Sequence, residues 1–388
     1  MIATASVGAG HNSAARAIAD RLRAAEPDWR VDVTDVLTFA PWAFRAYYAG
    51  GYSLAVSKLP WLYGLGYWLK DRPQGPKRGL TERYRLWNER HYLRRFARHA
   101  EAAAPDLVVH THFLVPPLLA RLARLGRLDA PQFVVVTDVR VHRFWFCEGM
   151  DQWFAPAEPT AEHLRTWGIA PGRITVSGMP IHPKWTVPLD RRKVLADWHL
   201  PDDRAIVLLS GGTEFTCGPV VEIARRIAAG PRRPLVAVLA GRNKKLLGKL
   251  ASLPESGRDV VSFGYTDRAH ELVEVCSLMV TKAGGLVTAE CAAKGKPMVL
   301  LKPVPGQESG NAAYFAREGA AVVTGSAADA VGQVRRLLGA SETLRGMADH
   351  ARRLHRPAAD TIVRAIRSAV RAGTGSADGA GGPTASSS

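Results

Sequence analysis

A pair of glycines in the C-terminal half of the chain stands between a predicted strand and a predicted helix, and this arrangement can bind a phosphate group. Residues 278–280 are apolar and predict the strand, and residues 286–294 have helical spacing with few breakers. Gly284 and Gly285 lie between them, preceded by Lys282. Glycines let the backbone approach a bulky anion, and the free N–H groups at the start of a helix favour a diphosphate.

Polar side chains that suit a nucleoside and a sugar follow these glycines. Glu290 falls on the first turns of the predicted helix, where its carboxylate could accept hydrogen bonds from both hydroxyls of a ribose. Gln307 and Glu308 lie in the loop after the next predicted strand, residues 297–301, and their amide and carboxylate suit sugar hydroxyls. A glycine pair alone is typical of an ordinary βα turn. The combination with Glu290, Gln307 and Glu308 is what predicts a nucleotide-sugar site.

Three further predicted strands of the C-terminal half also end at residues that could contact a ligand: Gly211 with Gly212, Arg242, and Tyr265 with Thr266. The glycine pair suits a diphosphate, and the guanidinium suits a phosphate or a base. The tyrosine ring could stack on a base, although a tyrosine in an exposed turn needs no function.

Histidines and one aspartate stand at the ends of predicted strands in the N-terminal half. A strand at residues 1–7 leads through a glycine turn that includes Gly10 to His11 and a helix, and His112 and Asp138 follow two later strands. Open α/β sheets bind ligands at the carboxyl ends of their strands, so these side chains are candidate cleft residues. A carboxylate there can orient a histidine or accept a proton itself, and a histidine after a glycine turn can also be only a helix cap.

Strands and helices alternate through residue 340, and 388 residues suffice for two domains with a core each. The pattern predicts an α/β protein with two doubly wound sheets facing across a cleft. The predicted segments are an N-terminal domain at 1–182, a proline-marked linker at 183–200, a C-terminal domain at 201–355, an amphipathic helix at 356–371 and a low-complexity, disordered tail at 372–388. Since the first strand begins directly at Met1, we expect the natural start to lie a few residues upstream.

The formal charge of +17 favours an acidic partner, such as an anionic lipid surface, a nucleic acid or a phosphorylated substrate. An arginine-rich composition from a GC-rich genome is the alternative explanation. The four cysteines show no paired CxxC spacing and no histidine array suited to zinc, so we expect reduced thiols and no metal site. We expect no signal peptide and no membrane span, because no stretch approaches about twenty apolar residues.

Aromatic and basic residues are concentrated between residues 41 and 98. Rings and glycines crowd residues 41–68, and residues 70–98 contain ten Lys or Arg against three Asp or Glu. Rings at the headgroup boundary beside cations that meet anionic phosphates suit a membrane surface. The alternative is a helical hairpin with core aromatics and solvated arginines. Leu86, Leu93 and Phe96 recur at helical intervals, so one face is expected to pack inward.

Four blocks of the sequence resemble the inverting GT-B glycosyltransferases that include monogalactosyldiacylglycerol synthase and bacterial processive diacylglycerol glucosyltransferases, and more distantly the lipid II-forming N-acetylglucosaminyltransferase. The blocks are SVGAGHNSAARA at 6–17, VVTDVRVHRFW at 135–145, GMPI at 178–181 and TKAGGLVTAECAAKGKPMVLLKPVPGQESGN at 281–311. They occur in the order and at the spacing of the family. One departure follows Gly212, where residues 213–217 replace the family's glycine-rich loop and leave the identity of the donor open.

The resemblance implies the GT-B fold, with two Rossmann-like domains and a C-terminal helix that returns to the first. It implies transfer of galactose, glucose or N-acetylglucosamine from a UDP-sugar to a lipid hydroxyl such as that of diacylglycerol, with inversion and without a cofactor or metal. His11 or Asp138 is the implied base, and Gly10, His112 and His142 are implied acceptor contacts. The implied donor contacts are Gly211, Gly212, Arg242, Tyr265, Thr266, Lys282, Gly284, Gly285, Glu290, Gln307 and Glu308.

On this interpretation we expect a cytoplasmic protein, peripheral on the inner face of the cell membrane and monomeric or weakly dimeric. Two alternatives remain. A non-hydrolysing UDP-N-acetylglucosamine 2-epimerase would share the architecture and the uridine site, but it would have little use for the aromatic and basic segment. A non-catalytic nucleic-acid-binding protein would explain the charge, but the aromatic and basic residues are segregated rather than interleaved. The sequence leaves open the sugar, the lipid acceptor and the number of sugars added.

Overall fold

The computed structural model describes residues 1–7, 10–50, 80–212 and 218–377, which form two six-stranded sheets with every neighbouring pair of strands parallel. The first sheet contains β1 (Ile2–Thr4), β2 (Val33–Asp35), β3 (Val108–His110), β4 (Gln132–Val135), β5 (Gln152–Ala155) and β6 (Ile174–Val176). The second contains β7 (Ile206–Ser210), β8 (Leu235–Gly241), β9 (Val260–Gly264), β10 (Leu278–Thr281), β11 (Met298–Leu300) and β12 (Ala321–Val323). Helices cover both faces of such sheets, so a central strand such as β7 is buried along its whole length.

The strand order of each sheet reverses at one point, and this decides where a ligand can bind. The first sheet has the order β2-β1-β3-β4-β5-β6, so the reversal lies between β1 and β3. The second has the order β12-β11-β10-β7-β8-β9, so it lies between β7 and β10. A crevice opens at the carboxyl ends of the strands on either side of such a reversal. The two predicted doubly wound sheets are thus confirmed.

Helices connect the strands and pack on the sheets. In the first half they are α1 (Gly10–Ala25), α2 (Trp42–Arg45), α3 (Leu80–Tyr92), α4 (Arg94–Ala103), α5 (Pro116–Arg124) and α6 (Glu158–Thr166). In the second half they are α7 (Arg191–Asp197), α8 (Val220–Ala228), α9 (Lys244–Ala251), α10 (Ala269–Val275), α11 (Gly285–Ala293), α12 (Gln307–Arg317), α13 (Ala327–Leu338), α14 (Ser341–Leu354) and α15 (Ala358–Ala377). The predicted apolar face of α1 is confirmed, because Ala14, Ile18 and Leu22 are buried.

The connection between the two sheets is folded. Residues 183–200 contain a 3-10 turn at Pro183–Trp185 and the helix α7, which Asp190 caps through its side chain. The buried side chains that join the core of the second sheet are Trp185, Val194, Leu195 and Leu200. The prolines and charges that predicted a linker therefore surround a short amphipathic helix, whose apolar side gains free energy by packing on the sheet.

Helix α15 returns to the first sheet, as the family resemblance implies. One apolar cluster joins its side chains to the first strand and helix: Ile2, Ile18, Ile362, Val363 and Ile366. The helix ends at Ala377, beyond the predicted end at residue 371, because extending an existing helix adds a backbone hydrogen bond without a new nucleation step. Residues 378–388 of the predicted tail lie outside the described residues.

The aromatic and basic segment is described only in part, since its residues 51–79 lie outside the described residues, as do residues 8–9 and 213–217. In the described part, Phe44, Leu86, Leu93 and Phe96 are buried, as the core alternative predicted. Four other rings are strongly exposed: Trp42 (79%), Tyr47 (74%), Tyr84 (66%) and Trp87 (59%). No described helix is long and apolar enough to cross a membrane. Cys276 and Cys291 are buried free thiols, Cys147 is also buried, and Cys217 lies outside the described residues.

Candidate active site

The glycine turns after β7 and β10 lie side by side at the reversal of the second sheet. Gly212 follows β7 and Gly284 follows β10, two strands that pair directly. Lys282 lies between the two turns. Its Cε is 3.7 Å from the position that a Cβ would take on Gly212 and 3.6 Å from the corresponding position on Gly284. The backbones of Gly212 and Gly284 and the Lys282 ammonium together form a site that can hold a negatively charged group, which we call the anion cradle.

Helix α12 brings a carboxylate to the same cradle. The Lys282 Nζ lies 3.4 Å from Glu308 Oε1, and Glu308 Oε2 accepts a hydrogen bond of 3.2 Å from the backbone N–H of Val304. Gly306 precedes the helix with φ of +107°, a conformation that residues with side chains rarely adopt. Gln307 is the first residue of the helix, so its amide and the Glu308 carboxylate both lie at the edge of the cradle.

Glu290 lies further along α11, on the side of the turn that follows β9. Burial raises the pKa of Glu290 to about 8, and Lys184 opposes the rise. The Lys184 ammonium donates a hydrogen bond of 2.6 Å to the carbonyl of Asp267, directly after Tyr265 and Thr266. Glu290 therefore shares one side of the cleft with the predicted base contacts, as a ribose contact must.

The predicted base contacts form two different arrangements. Tyr265 is 59% exposed, and the guanidinium carbon of Arg242 lies 4.7 Å from the centroid of its ring, which makes a cation–π pair. Thr266 turns toward the local backbone, where its Oγ1 accepts a hydrogen bond of 3.0 Å from the N–H of Arg268. The exposed ring and guanidinium are thus available to a planar base, whereas the Thr266 hydroxyl shapes the turn.

His11 stands at the start of α1, at the reversal of the first sheet. Its Nδ1 lies 2.8 Å from the carbonyl oxygen of Thr111 and 3.0 Å from Thr137 Oγ1. A carbonyl only accepts, so Nδ1 carries the hydrogen and Nε2 keeps its lone pair. Burial lowers the pKa of His11 to about 4, more than the hydrogen bond to Thr111 raises it. The ring is neutral near neutral pH and can accept a proton or a hydrogen bond.

Asp138 is the second candidate base, at the end of β4. Its Oδ1 accepts a hydrogen bond of 3.1 Å from Asn311 Nδ2, which lies on α12 of the other domain. Burial raises the pKa of Asp138 to about 7, with the Asn311 bond and Lys282 lowering it and the Glu308 carboxylate raising it. A carboxyl group with this pKa exchanges its proton in the range where a general base works best.

The two halves of the site meet across one cleft. A Cβ on Gly285 would lie 2.3 Å from the carbonyl oxygen of Thr137 and 3.1 Å from Asp138 Oδ1. A Cβ on Gly10 would lie 4.0 Å from the Cβ of Leu286, so the starts of α1 and α11 face each other. A side chain at position 285 would therefore collide with the first domain. Asp138, the candidate base, lies at the edge of the anion cradle.

His112 and His142 lie behind His11. Only 1% of His112 and 7% of His142 is exposed, and the His112 ring centroid is 4.5 Å from that of His11. His112 Nδ1 accepts a hydrogen bond of 3.1 Å from the N–H of Leu114. Burial lowers the pKa of both rings, that of His142 to about 3. Both rings of these predicted acceptor contacts are therefore buried and neutral, and the His112 ring packs edge-on against His11.

Asn311, Thr137 and Lys184 contribute to the site but received no role from the sequence. Asn311 is the most informative of them, since it is fully buried and bonded to Asp138. Its spacing held a usable signal: it stands four residues after Gln307, so both lie on one helical face, and it is followed by the buried Ala312. A polar residue beside apolar ones on the inner face of a helix predicts a buried hydrogen-bond partner.

Comparisons with known proteins match this geometry. The model of the monogalactosyldiacylglycerol (MGDG) synthase family matches residues 11–181, and that of the glycosyltransferase family 28 C-terminal domain matches residues 221–351. MurG of Acinetobacter baumannii superposes with a TM-score of 0.60 at 14% identity, covering 95% of this chain and 98% of that one. The UDP-GlcNAc 2-epimerase of Neisseria meningitidis, in complex with UDP-GlcNAc, gives 0.61 at 13% identity, covering 95% and 100%. At these identities the likeness shows the GT-B fold alone.

A relative found by sequence distinguishes a glycosyltransferase from a 2-epimerase. The processive diacylglycerol beta-glucosyltransferase of Bacillus cereus (strain AH187) is 31% identical over 270 residues, which cover 69% of this chain and 68% of the relative. The similarity therefore reaches beyond the fold, to a glycosyltransferase rather than to an epimerase. With the matched family models, it shows that the chain is a glycosyltransferase of the family that contains the monogalactosyldiacylglycerol synthases and the processive diacylglycerol glucosyltransferases.

Proposed function

We propose that this glycosyltransferase moves a hexose from a UDP-sugar to the hydroxyl of diacylglycerol or a similar lipid, with inversion at the anomeric carbon. The observation that carries the proposal is the contact between the Asp138 carboxylate and the start of α11 at Gly285, with a Cβ at 285 only 3.1 Å from Asp138 Oδ1. A candidate base next to a candidate diphosphate cradle suits direct displacement. The acceptor oxygen attacks from one side while the diphosphate leaves from the other.

The proposed step uses residues of both domains. Asp138 takes the proton of the lipid hydroxyl, and the neutral His11 ring lies against the acceptor. The oxygen forms the new bond to the anomeric carbon as the bond to UDP breaks. The backbone of Gly212 and Gly284, the positive end of α11 and the Lys282 ammonium then hold the departing diphosphate. We propose that these groups supply the positive charge without a divalent ion.

The donor lies along the second domain in this proposal. Tyr265 and Arg242 hold the uracil ring, with the Thr266 turn against its edge, and Glu290 accepts bonds from the ribose hydroxyls. Gln307 and Glu308 contact the sugar. Exposed rings beside basic residues support a protein that is peripheral on the inner, cytoplasmic face of the cell membrane, where the lipid acceptor enters.

The test is to incubate the protein with diacylglycerol vesicles and UDP-glucose, UDP-galactose or UDP-N-acetylglucosamine, and to identify the lipid products by mass spectrometry. Proton NMR of the product reads the anomeric configuration, and addition of EDTA tests the need for a metal. Asp138→Asn should form product about 10²- to 10⁴-fold more slowly, whereas Asp151→Asn, at the opposite end of the first sheet, should behave as wild type. Epimerisation of UDP-N-acetylglucosamine without any glycolipid product would contradict the proposal.

A further inference from the structure

Asn311 makes three hydrogen bonds, and two of them reach the other domain. Its fully buried Nδ2 donates to Asp138 Oδ1 at 3.1 Å and to the carbonyl oxygen of Ala283 at 3.0 Å. Its Oδ1 accepts from the N–H of Val139 at 2.8 Å. Asp138 and Val139 follow β4 of the first sheet, whereas Ala283 follows β10 of the second. Both amide hydrogens and one lone pair of a single side chain therefore hold strand ends from different domains together.

The surrounding contacts show how closely the two domains approach each other at this point. A Cβ on Gly310, the residue before Asn311, would lie 2.1 Å from the Cβ of Arg140. Within the first domain, the carbonyl of Val139 accepts a hydrogen bond of 2.6 Å from Thr160 Oγ1, which ties the turn to α6. Residues 137–140 are thus held by their own domain. Helix α12 can contact them only because residue 310 has no side chain. Any opening of the cleft withdraws Asn311 from Asp138.

The loss of Asn311 would change both the orientation and the charge of Asp138. Among the residues that the structure describes, Asn311 gives the only hydrogen bond to this carboxylate. Burial raises the pKa of Asp138, the Asn311 bond and Lys282 lower it, and the Glu308 carboxylate raises it. A hydrogen bond to a charged group is among the stronger ones, so removing this donor raises that pKa further and frees the carboxylate to rotate.

We propose that Asn311 is a positioning residue that aligns the Asp138 carboxylate only when the two domains close on each other. The inference rests on the proposed transfer reaction and adds a control step to it. Donor and acceptor enter the open cleft while the Asp138 carboxylate is misaligned. The site is complete once the cleft closes and α12 contacts residues 137–140. Water is therefore a poor competitor for the sugar, because the base is in place only in the closed cleft.

The first experiment compares the turnover of Asn311→Ala and wild type across pH. We expect kcat to fall about 10- to 100-fold and the ascending limb of the pH profile to move up by about one pH unit, while the KM for the UDP-sugar changes less than about threefold. Gln132→Ala is the matched control. It removes another buried amide, which bonds His110 at 3.1 Å and lies at the start of the strand that Asp138 follows, away from the cleft. Gln132→Ala should lower Tm without shifting the ascending limb of the pH profile.

The second experiment does not depend on turnover. Carbon-13 NMR of labelled aspartates, with Asp138→Asn for assignment, follows the titration of the Asp138 carboxyl group in wild type and variants. If wild type transfers no sugar, the proposed function fails, and the titration still decides the role of Asn311. An unchanged Asp138 titration in Asn311→Ala, or a loss of UDP affinity in proportion to kcat, would overturn the inference. Should Asn311→Ala not fold, Asn311→Asp keeps the side-chain volume, removes both donors and is judged by the same measurements.

Discussion

His11 holds its Nδ1 2.8 Å from the carbonyl oxygen of Thr111, and this contact places the ring hydrogen on Nδ1 and leaves the lone pair on Nε2. Burial lowers the pKa of His11 to about 4, whereas burial raises that of Asp138 to about 7. The two candidate bases therefore change charge in different pH ranges. Kinetics can distinguish them, although both lie at the same edge of the cleft.

The first prediction concerns the pH profile of sugar transfer. A base must be unprotonated, so if Asp138 is the base, kcat rises with pH through about 7. Asp138→Asn should lose this limb and about 10²- to 10⁴-fold in kcat, whereas His11→Gln should keep the limb at reduced turnover. Initial rates between about pH 5 and 9 give the measurement. If the limb survives in Asp138→Asn and disappears in His11→Gln, His11 is the base instead.

The second prediction separates stability from binding at Glu290. Its folded pKa of about 8 lies above the ordinary glutamate value of 4.5, so the folded protein binds this proton more tightly than the unfolded chain. Stability is therefore lost as pH rises from about 4.5 through about 8. Glu290→Gln keeps the neutral form, so it should raise Tm above pH 8 by about 2–4 °C, since partial exposure reduces the effect to about 1 kcal/mol. Near the lower end of the window the two proteins should unfold alike.

Above about pH 8, where the Glu290 carboxylate is charged, the same variant should bind UDP about 10- to 100-fold more weakly, because a ribose loses hydrogen bonds to a charged acceptor. Titration calorimetry measures the affinity, and differential scanning calorimetry across pH measures Tm. Glu162→Gln, an exposed glutamate on α6, is the control and should change neither. A stabilised Glu290→Gln that binds UDP as wild type does would remove Glu290 from the donor site.

The third prediction uses the glycine that lets the domains touch. Gly310→Ala places a Cβ 2.1 Å from the Cβ of Arg140, so the cleft must open. We expect a larger radius of gyration by small-angle X-ray scattering and a lower kcat, with both domains still folded. Gly332→Ala is the control, since no atom lies within 4 Å of a Cβ in that helix, and it should stabilise the protein by about 0.5–1 kcal/mol. If Gly310→Ala and wild type have the same radius of gyration and the same kcat, the added Cβ fits without opening the cleft, and the prediction is wrong.

The sequence predicts features that depend on neighbouring residues well, and it predicts contacts between distant elements poorly. The turns at Gly212 and Gly284 follow apolar runs, and parallel strands bring their carboxyl ends to one edge, so both turns could be placed at a common site. Local patterns also predicted the buried face of α1. Each of these features depends on neighbours in sequence or on a general rule of sheet topology.

Contacts between elements far apart in the chain were not predictable in this way. The bond between Asp138 and Asn311 joins residues 173 positions apart and depends on how closely α12 approaches β4. The same holds for His112 and His142, which the family resemblance implied as acceptor contacts but whose rings are buried. Periodicity shows which face a residue occupies, but it does not show which partner covers that face.

The fourth prediction tests the base contact. Tyr265→Ala removes an exposed ring that pairs with Arg242 at 4.7 Å, and a lost stacking platform is worth about 1–3 kcal/mol per base. The Kd for UDP should therefore rise about 10-fold or more, and Arg242→Gln should have a smaller effect in the same direction. Val323→Ala changes another exposed side chain of the second sheet and serves as the control in the same calorimetric titration. If UDP affinity is unchanged in Tyr265→Ala, the uracil ring lies elsewhere.

The last prediction concerns the exposed rings of the first domain. Phe44 stacks on Tyr92 with ring centroids 4.9 Å apart, so α2 lies beside α3, and each carries an exposed tryptophan, Trp42 and Trp87. Three exposed arginines, Arg94, Arg95 and Arg98, follow on α4. A membrane surface would cover the rings and meet the cations.

Trp42→Ala with Trp87→Ala should weaken binding to vesicles that contain anionic lipid by at least about 10-fold, since burying a large apolar side chain is worth about 1.5–3 kcal/mol. Arg94→Glu with Arg95→Glu should weaken binding mainly at low salt, because salt screens exposed charges. Leu125→Ala, an exposed apolar residue at the end of α5, is the control for sedimentation with vesicles. If both double variants sediment as wild type does at every salt concentration, the described rings and arginines do not form the membrane contact. The lipid must then reach His11 and Asp138 by another route.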